Sequence, residues 1–142
     1  MIFSCENGFV ERLALQAAVG AVQARASIRL RRLPAAFTNN PEALRMEQDY
    51  IAPRAADLDW ADGNVFAVPA GRVTEVAGLG ISAKPVMPLS RCGEASRQAG
   101  FHVLPVPQEL DLSEASDCLR AGRLFAEQLR AVTGSRAAGS AS

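Results

Sequence analysis

Residues 1–31 have the sequence MIFSCENGFVERLALQAAVGAVQARASIRLR, and their pattern gives the strongest indication of the fold class. The apolar run Met1–Cys5 is typical of a β-strand, and Asn7-Gly8 after it is a turn signal. From Val10 onward the chain is predicted to be helical, since no proline interrupts it before Pro34. The apolar residues that recur at helical spacing are Leu15, Ala18, Val19 and Val22. The chain therefore begins with a strand, a tight turn and a helix.

A second strand is predicted where Ile28 and Leu30 alternate with two arginines. A strand with one charged face is half solvated, which favours an edge of a sheet. Further strands are predicted at Asn64–Val68, Lys84–Leu89 and Phe101–Val106, with helical stretches between them. Alternating strands and helices indicate a parallel sheet. The doubly wound order with strand 2 at the edge and strand 1 inside is 2-1-3-4-5. The sequence thus predicts an α/β three-layer sandwich with a five-stranded parallel sheet.

The composition limits the classes of protein to consider. A length of 142 residues fits one domain, predicted at 1–133, and the low-complexity stretch 134–142 is expected to be a disordered tail. Fifteen basic and fifteen acidic residues cancel, so no nucleic-acid partner is expected. Fourteen of the 15 basic residues are arginine, a bias that favours a bacterial source with a GC-rich genome.

Three widely spaced cysteines predict neither a disulfide framework nor a metal site. With no apolar run long enough for a membrane helix and no signal peptide, we expect a cytoplasmic protein that does not bind membranes.

Three loops are candidates for a ligand site, because doubly wound sheets bind ligands beyond the carboxyl ends of their strands. These loops follow strands 1, 3 and 4, at residues 4–10, 69–73 and 90–93. The first of them, Ser4–Ala14 (SCENGFVERLA), resembles the phosphate loop of the flavodoxins, Ser/Thr-x-Ser/Thr-Gly-Asn-Thr-Glu, with Gly8 and Glu11 matching. A loop of this type surrounds a phosphate with backbone N–H groups at a helix N-terminus. The hydroxyl residues are largely replaced, and Glu6 adds a negative charge near the phosphate position.

Other stretches resemble one group within the flavodoxin-like superfamily, the NAD(P)H:quinone oxidoreductases related to tryptophan-repressor-binding protein. They are Ala56–Asp62 (ADLDWAD), Pro69, Arg72–Ala77 (RVTEVA) and Gly122–Glu127 (GRLFAE). The resemblance implies FMN as cofactor, NAD(P)H as reductant, a small quinone-like substrate and a homo-oligomer. The chain departs from the group between Pro69 and Phe101, where the longer segments that shape the flavin pocket are missing.

The resemblance also implies a set of cofactor-binding residues. They are Cys5, Glu6, Asn7, Gly8, Phe9 and Val10 around the phosphate; Pro69, Ala70, Gly71, Arg72 and Val73 along the ribityl chain and one flavin edge; and Ser90, Arg91, Cys92 and Gly93 near the isoalloxazine. Because the cofactor carries the redox chemistry, no catalytic side chain is assigned. Trp60 is interpreted as a residue packed under the sheet, and the single histidine, His102, as a core or edge residue.

Two alternative functions remain open at this point. Low-molecular-weight tyrosine phosphatases place Cys-x5-Arg after strand 1, whereas Cys5 and Arg12 form Cys-x6-Arg, with Glu11 at the arginine position. The extra residue and the carboxylate both disfavour that interpretation. The second alternative is a flavodoxin-like domain without cofactor that acts as an oligomerising or partner-binding module, which the fold alone does not exclude.

Overall fold

A computed structural model of the chain describes residues 1–4, 8–34 and 41–140. Within these ranges the chain forms β1 (Ile2–Phe3), α1 (Gly8–Gln23), β2 (Arg31–Arg32), α2 (Pro41–Asp49), α3 (Ala55–Trp60), β3 (Asn64–Ala67), a 3-10 turn (Ala70–Arg72), α4 (Val73–Ala77), β4 (Pro85–Pro88), α5 (Gly93–Ala99), β5 (His102–Val103) and α6 (Ala115–Ser140). Of the described helices, none is long and apolar enough to cross a membrane.

The five described strands form one parallel sheet in the order β2-β1-β3-β4-β5, which confirms the predicted topology. This is the flavodoxin-like order. The paired segments are shorter than the sequence indicates, and β2 lies at Arg31–Arg32, just beyond the alternating residues Ile28 and Leu30. Pro85 and Pro88 occupy the two ends of β4, where a missing backbone N–H removes the fewest ladder bonds.

Apolar side chains cover both faces of the sheet and produce three layers. On one face Phe3, Val65 and Met87 pack against α1 and α6, and the ring of Tyr50 meets Phe3 edge-on at 4.9 Å between centroids. On the other face Ile2, Phe66 and Val86 pack against α3, α4 and α5. Because successive strand residues point to opposite faces, β1, β3 and β4 each supply both cores. The sheet is therefore held between two separate hydrophobic layers.

The inward face of α1 differs from the one that apolar spacing indicates. Leu15, Val19 and Val22 are exposed, although the spacing places them on one apolar stripe. The buried residues are mostly small: Leu13, Ala14, Ala17, Ala18, Gly20 and Ala21. Small side chains let two helices approach closely, so the contact with α6 selects this face over the more apolar one.

Two glycines make the contact between α1 and α6 possible. A β-carbon on Gly20 would overlap the carbonyl oxygen of Leu119 in α6, and one on Gly122 would overlap the carbonyl oxygen of Ala17 in α1. Both obstructing oxygens belong to the backbone, so the overlap could be relieved only by moving a helix. α1 and α6 therefore pack backbone against backbone at this crossing.

We expect Gly122→Ala to lower the free energy of unfolding by about 2–3 kcal/mol, because overpacking at a backbone contact displaces a whole helix. Gly71→Ala is the matched control, since a β-carbon at that residue would meet no atom within 4 Å. The control is expected to change the free energy by less than about 0.5 kcal/mol. Urea denaturation followed by circular dichroism measures both values. Equal stability of Gly122→Ala and wild type would contradict the close crossing.

Candidate functional site

The predicted phosphate-binding residues lie where β1 leads into α1. Of the residues assigned to this loop, Cys5, Glu6 and Asn7 fall outside the described part of the chain. Gly8, Phe9 and Val10 form the first turn of α1. Since β1 neighbours β2 on one side and β3 on the other, α1 starts at the point where the strand order reverses. The helix N-terminus thus lies at the position where doubly wound folds bind anionic ligands.

Glu11, the residue that matches the flavodoxin motif, is buried in an ion pair. Its carboxylate accepts two hydrogen bonds from Arg45, at 2.6 Å to Oε1 and 3.3 Å to Oε2, and a third from the Tyr50 hydroxyl. Hydrogen bonding to Arg45 lowers the pKa of Glu11. The carboxylate is therefore ionised and compensated by α2, so it adds little net negative charge to the start of α1.

The second predicted loop, Pro69–Val73, turns directly into the 3-10 turn and α4. Pro69, Ala70 and Gly71 are exposed, whereas Val73 is part of the core. Arg72 donates from Nε to Glu75 at 2.8 Å and from Nη2 to the carbonyl of Pro34 at 2.5 Å. Its guanidinium links the end of β2 to α4.

The third predicted loop, Ser90–Gly93, is a short connection between β4 and α5. Ser90 Oγ donates to the Val68 carbonyl at 2.7 Å, and Cys92 is fully buried with Sγ 3.7 Å from the Phe66 carbonyl. Arg91 is exposed, and Gly93 begins α5. The hydroxyl of Ser90 therefore holds two strand ends together, and the thiol of Cys92 points into the core.

The described residues of these loops lie along one edge of the sheet, as expected for connections that follow parallel strands. The N-terminus of α1 lies at the reversal point, where the helix dipole favours an anion, and the Glu11 carboxylate there is neutralised by Arg45. The other two loops fit a flavin ring less closely, since Arg72 and Ser90 already hydrogen-bond to protein atoms. In these two loops, the groups available to a flavin are the exposed backbone and the side chain of Arg91.

The structure places Trp60 differently from the sequence-based interpretation. Its ring is 43% exposed at the opposite, amino-terminal edge of the sheet, with the Arg29 guanidinium 4.1 Å from the ring centroid. Arg29 and Arg31 both bind the buried carboxylate of Asp57, at 3.2 and 3.0 Å. Sequence reasoning missed this cluster, because the partners are more than 25 residues apart and no local spacing connects them.

Comparison of the chain with protein-family models finds no match, and comparison with curated proteins finds none either. The expectation of a flavin site therefore depends on the residues of the chain and on the topology of the sheet.

Tyr50 is the single tyrosine of the chain and reports on the Glu11 ion pair. Burial, followed by its hydrogen bond to Glu11, raises the pKa of Tyr50 to about 12. The raised pKa means that the neutral phenol is favoured in the folded state, so this stabilisation is complete below about pH 10 and is lost as the pH rises towards 12. We expect ultraviolet titration to give this high pKa, and Glu11→Gln to lower it.

The control for this titration is Glu75→Gln, which removes an exposed carboxylate elsewhere and should leave the pKa of Tyr50 unchanged. Circular dichroism recorded in parallel identifies the pH range in which the protein stays folded. A Tyr50 pKa near 10 in folded wild type, or no response to Glu11→Gln, would contradict the arrangement of Glu11, Arg45 and Tyr50.

Proposed function

We propose that the protein binds FMN at the carboxyl edge of the sheet, with the phosphate at the first turn of α1. The observation that carries this proposal is the position of α1, a helix of 16 residues. Its N-terminus lies at the point where the strand order of the 2-1-3-4-5 sheet reverses. The resemblance of Ser4–Ala14 to the flavodoxin phosphate loop supports FMN as the ligand. The free, buried thiols of Cys92 and Cys118 suit a reducing compartment, so we place this function in the cytoplasm.

Residues of the chain bind and position the cofactor in this proposal. The positive end of the α1 dipole faces the phosphate, and Arg45 keeps Glu11 from opposing it. Pro69–Gly71 and Arg91 form the exposed rim along which the rest of the ligand lies. Bound FMN supplies hydride and electron transfer, and the resemblance to the quinone oxidoreductases suggests NAD(P)H as donor and a small quinone as acceptor.

Flavin titration tests the proposal directly. We expect FMN fluorescence to be quenched on binding, and FMN to bind more tightly than riboflavin, because riboflavin lacks the phosphate.

Glu6→Ser is expected to strengthen FMN binding, since two like charges about 5 Å apart repel by roughly 3 kcal/mol at an effective dielectric of about 20, before salt screening. Glu127→Ser, which removes an exposed carboxylate of α6 outside the predicted loops, is the control and should leave the affinity unchanged.

Absence of quenching at high micromolar FMN would reject the flavin proposal. Equal affinity for FMN and riboflavin would reject the phosphate anchor. An unchanged affinity in Glu6→Ser would show that this carboxylate does not face the phosphate.

A second candidate function is a cofactor-free module that self-associates, and two specific observations favour it. Arg72 and Ser90, both assigned to the flavin, hydrogen-bond instead to protein atoms. In addition, α1 exposes Leu15, Val19 and Val22 along one stripe, and such an apolar helix face is typical of a contact surface. In this proposal a second copy of the chain covers the stripe.

Light scattering coupled to size exclusion tests this second candidate. We expect a mass of about twice the 15.0 kDa of one chain at micromolar concentration. Val19→Glu should return the protein to one chain, because it buries a charge in the contact. Gln16→Glu, which adds the same charge outside the stripe, should leave the assembly intact. A single-chain mass for wild type would reject self-association.

A further inference from the structure

A cleft opens at the amino edge of the sheet, away from the predicted flavin loops. Its outer part has a volume of about 540 Å³ and lies between the loop before β2, the loop before β3 and the second half of α6. Its inner part, about 70 Å³, extends to the starts of β1 and β3. Both parts are lined by Trp60, Ala126 and Leu129. The outer volume lies within the range of small-molecule sites, roughly 300–1,000 Å³.

The inner part of the cleft contains a buried polar group without a partner. Asn64, the first residue of β3, is 4% exposed and lines the inner cavity, and its Nδ2 makes no hydrogen bond. Leaving a buried donor unsatisfied costs free energy, and most native proteins avoid it. The unpaired amide therefore marks a polar point in the inner wall, and its nitrogen is closed off from the cavity.

The charged residues around the cleft favour an anion. Four arginines line it, Arg25, Arg29, Arg31 and Arg130, against two carboxylates, Asp57 and Asp62. Asp57 is shared between Arg29 and Arg31, so an excess of positive charge remains. Arg130 Nη2 donates to the carbonyl of Ala24, which fixes this guanidinium at the rim.

Arg25, at the rim of the cleft, has a strained backbone conformation. It has a φ of 66°, the left-handed conformation that follows a helix and is usually taken by glycine. An arginine at this position adds a positive charge to the mouth of the cleft where glycine would be less strained.

We propose that this cleft binds a small aromatic carboxylic acid. The carboxylate lies at the rim near Arg25 and Arg130, and the ring lies against Trp60, Ala126 and Leu129. Two acidic residues in the lining disfavour a dianion such as a phosphate, and the mostly apolar inner wall disfavours a sugar-like ligand.

The probe is 4-hydroxyphenylacetate, titrated while the fluorescence of Trp60, the single tryptophan of the chain, is excited selectively at the red edge of its absorption. We expect a saturable change with a Kd below about 1 mM, as a ligand of this size with few polar contacts allows. The neutral amide of the probe, 4-hydroxyphenylacetamide, should bind at least about tenfold more weakly, because it loses charge-assisted hydrogen bonds.

Two variants separate binding from folding. Arg25→Gly should weaken binding of the probe about fivefold while raising the Tm by about 3 °C, because glycine relieves the left-handed conformation. Arg130→Gln should also weaken binding. Arg120→Gln is the matched control, since this exposed arginine lies on the same helix and outside the cleft, and it should bind the probe like wild type.

Several outcomes would overturn the proposal. One is the absence of both a Trp60 fluorescence change and a saturation-transfer NMR signal from the probe at millimolar concentration. Equal binding of the acid and its amide, or wild-type binding by both Arg25→Gly and Arg130→Gln, would also overturn it. None of these results depends on FMN, so the cleft and the flavin proposal fail or stand separately.

Discussion

The structure is organised around the close crossing of α1 and α6. Gly20 and Gly122 bring the two backbones together, and the layer that they form packs on Phe3, Val65 and Met87 of the sheet. The paired strand segments are only two to four residues long, so few ladder hydrogen bonds hold the strands in place. The position of β1 and β3 is therefore set mainly by the helices that pack on them. This dependence explains why small residues, rather than the larger apolar ones, face inward on α1.

The strand order could be predicted from the sequence, whereas the inward face of α1 could not. The two outcomes have different physical causes. The order of the strands follows from chain-wide features, namely the alternation of strands with helices and the arginines beside Ile28 and Leu30, which mark an edge. The inward face of α1 depends on a partner about 100 residues away. The larger apolar residues Leu15, Val19 and Val22 recur at helical spacing. Ala17 and Gly20 are nevertheless the residues that fit against α6. Spacing within one helix contains no information about how closely another helix approaches.

The same distinction applies to the candidate sites. The candidate site at the carboxyl edge could be predicted from the sequence because the residues that resemble a phosphate loop are consecutive, within Ser4–Ala14. Glu11 belongs to that motif, but its partners Arg45 and Tyr50 come from α2 and the segment after it, and no pattern in the sequence connects them. The amino-edge cleft is assembled from α1, β3 and α6 and has no consecutive motif at all. Its polar group without a partner, Asn64, becomes visible only when the surrounding side chains are in place.

The geometry of α1 connects the two edges of the sheet. Its N-terminus lies at the reversal point beside the predicted phosphate loop, and its C-terminus leads into Arg25 at the rim of the cleft. The helix dipole is positive at the first end and negative at the second, so an anion at the N-terminus is favoured by the helix itself. At the C-terminus the dipole opposes an anion, and positive side chains must supply the attraction. Arg25 and Arg130 lie at that end, while at the other end Glu11 is paired with Arg45, so that its carboxylate does not oppose the dipole. The two anions that we propose would therefore be attracted by different groups, the helix dipole at the N-terminus of α1 and two arginine side chains beyond its C-terminus.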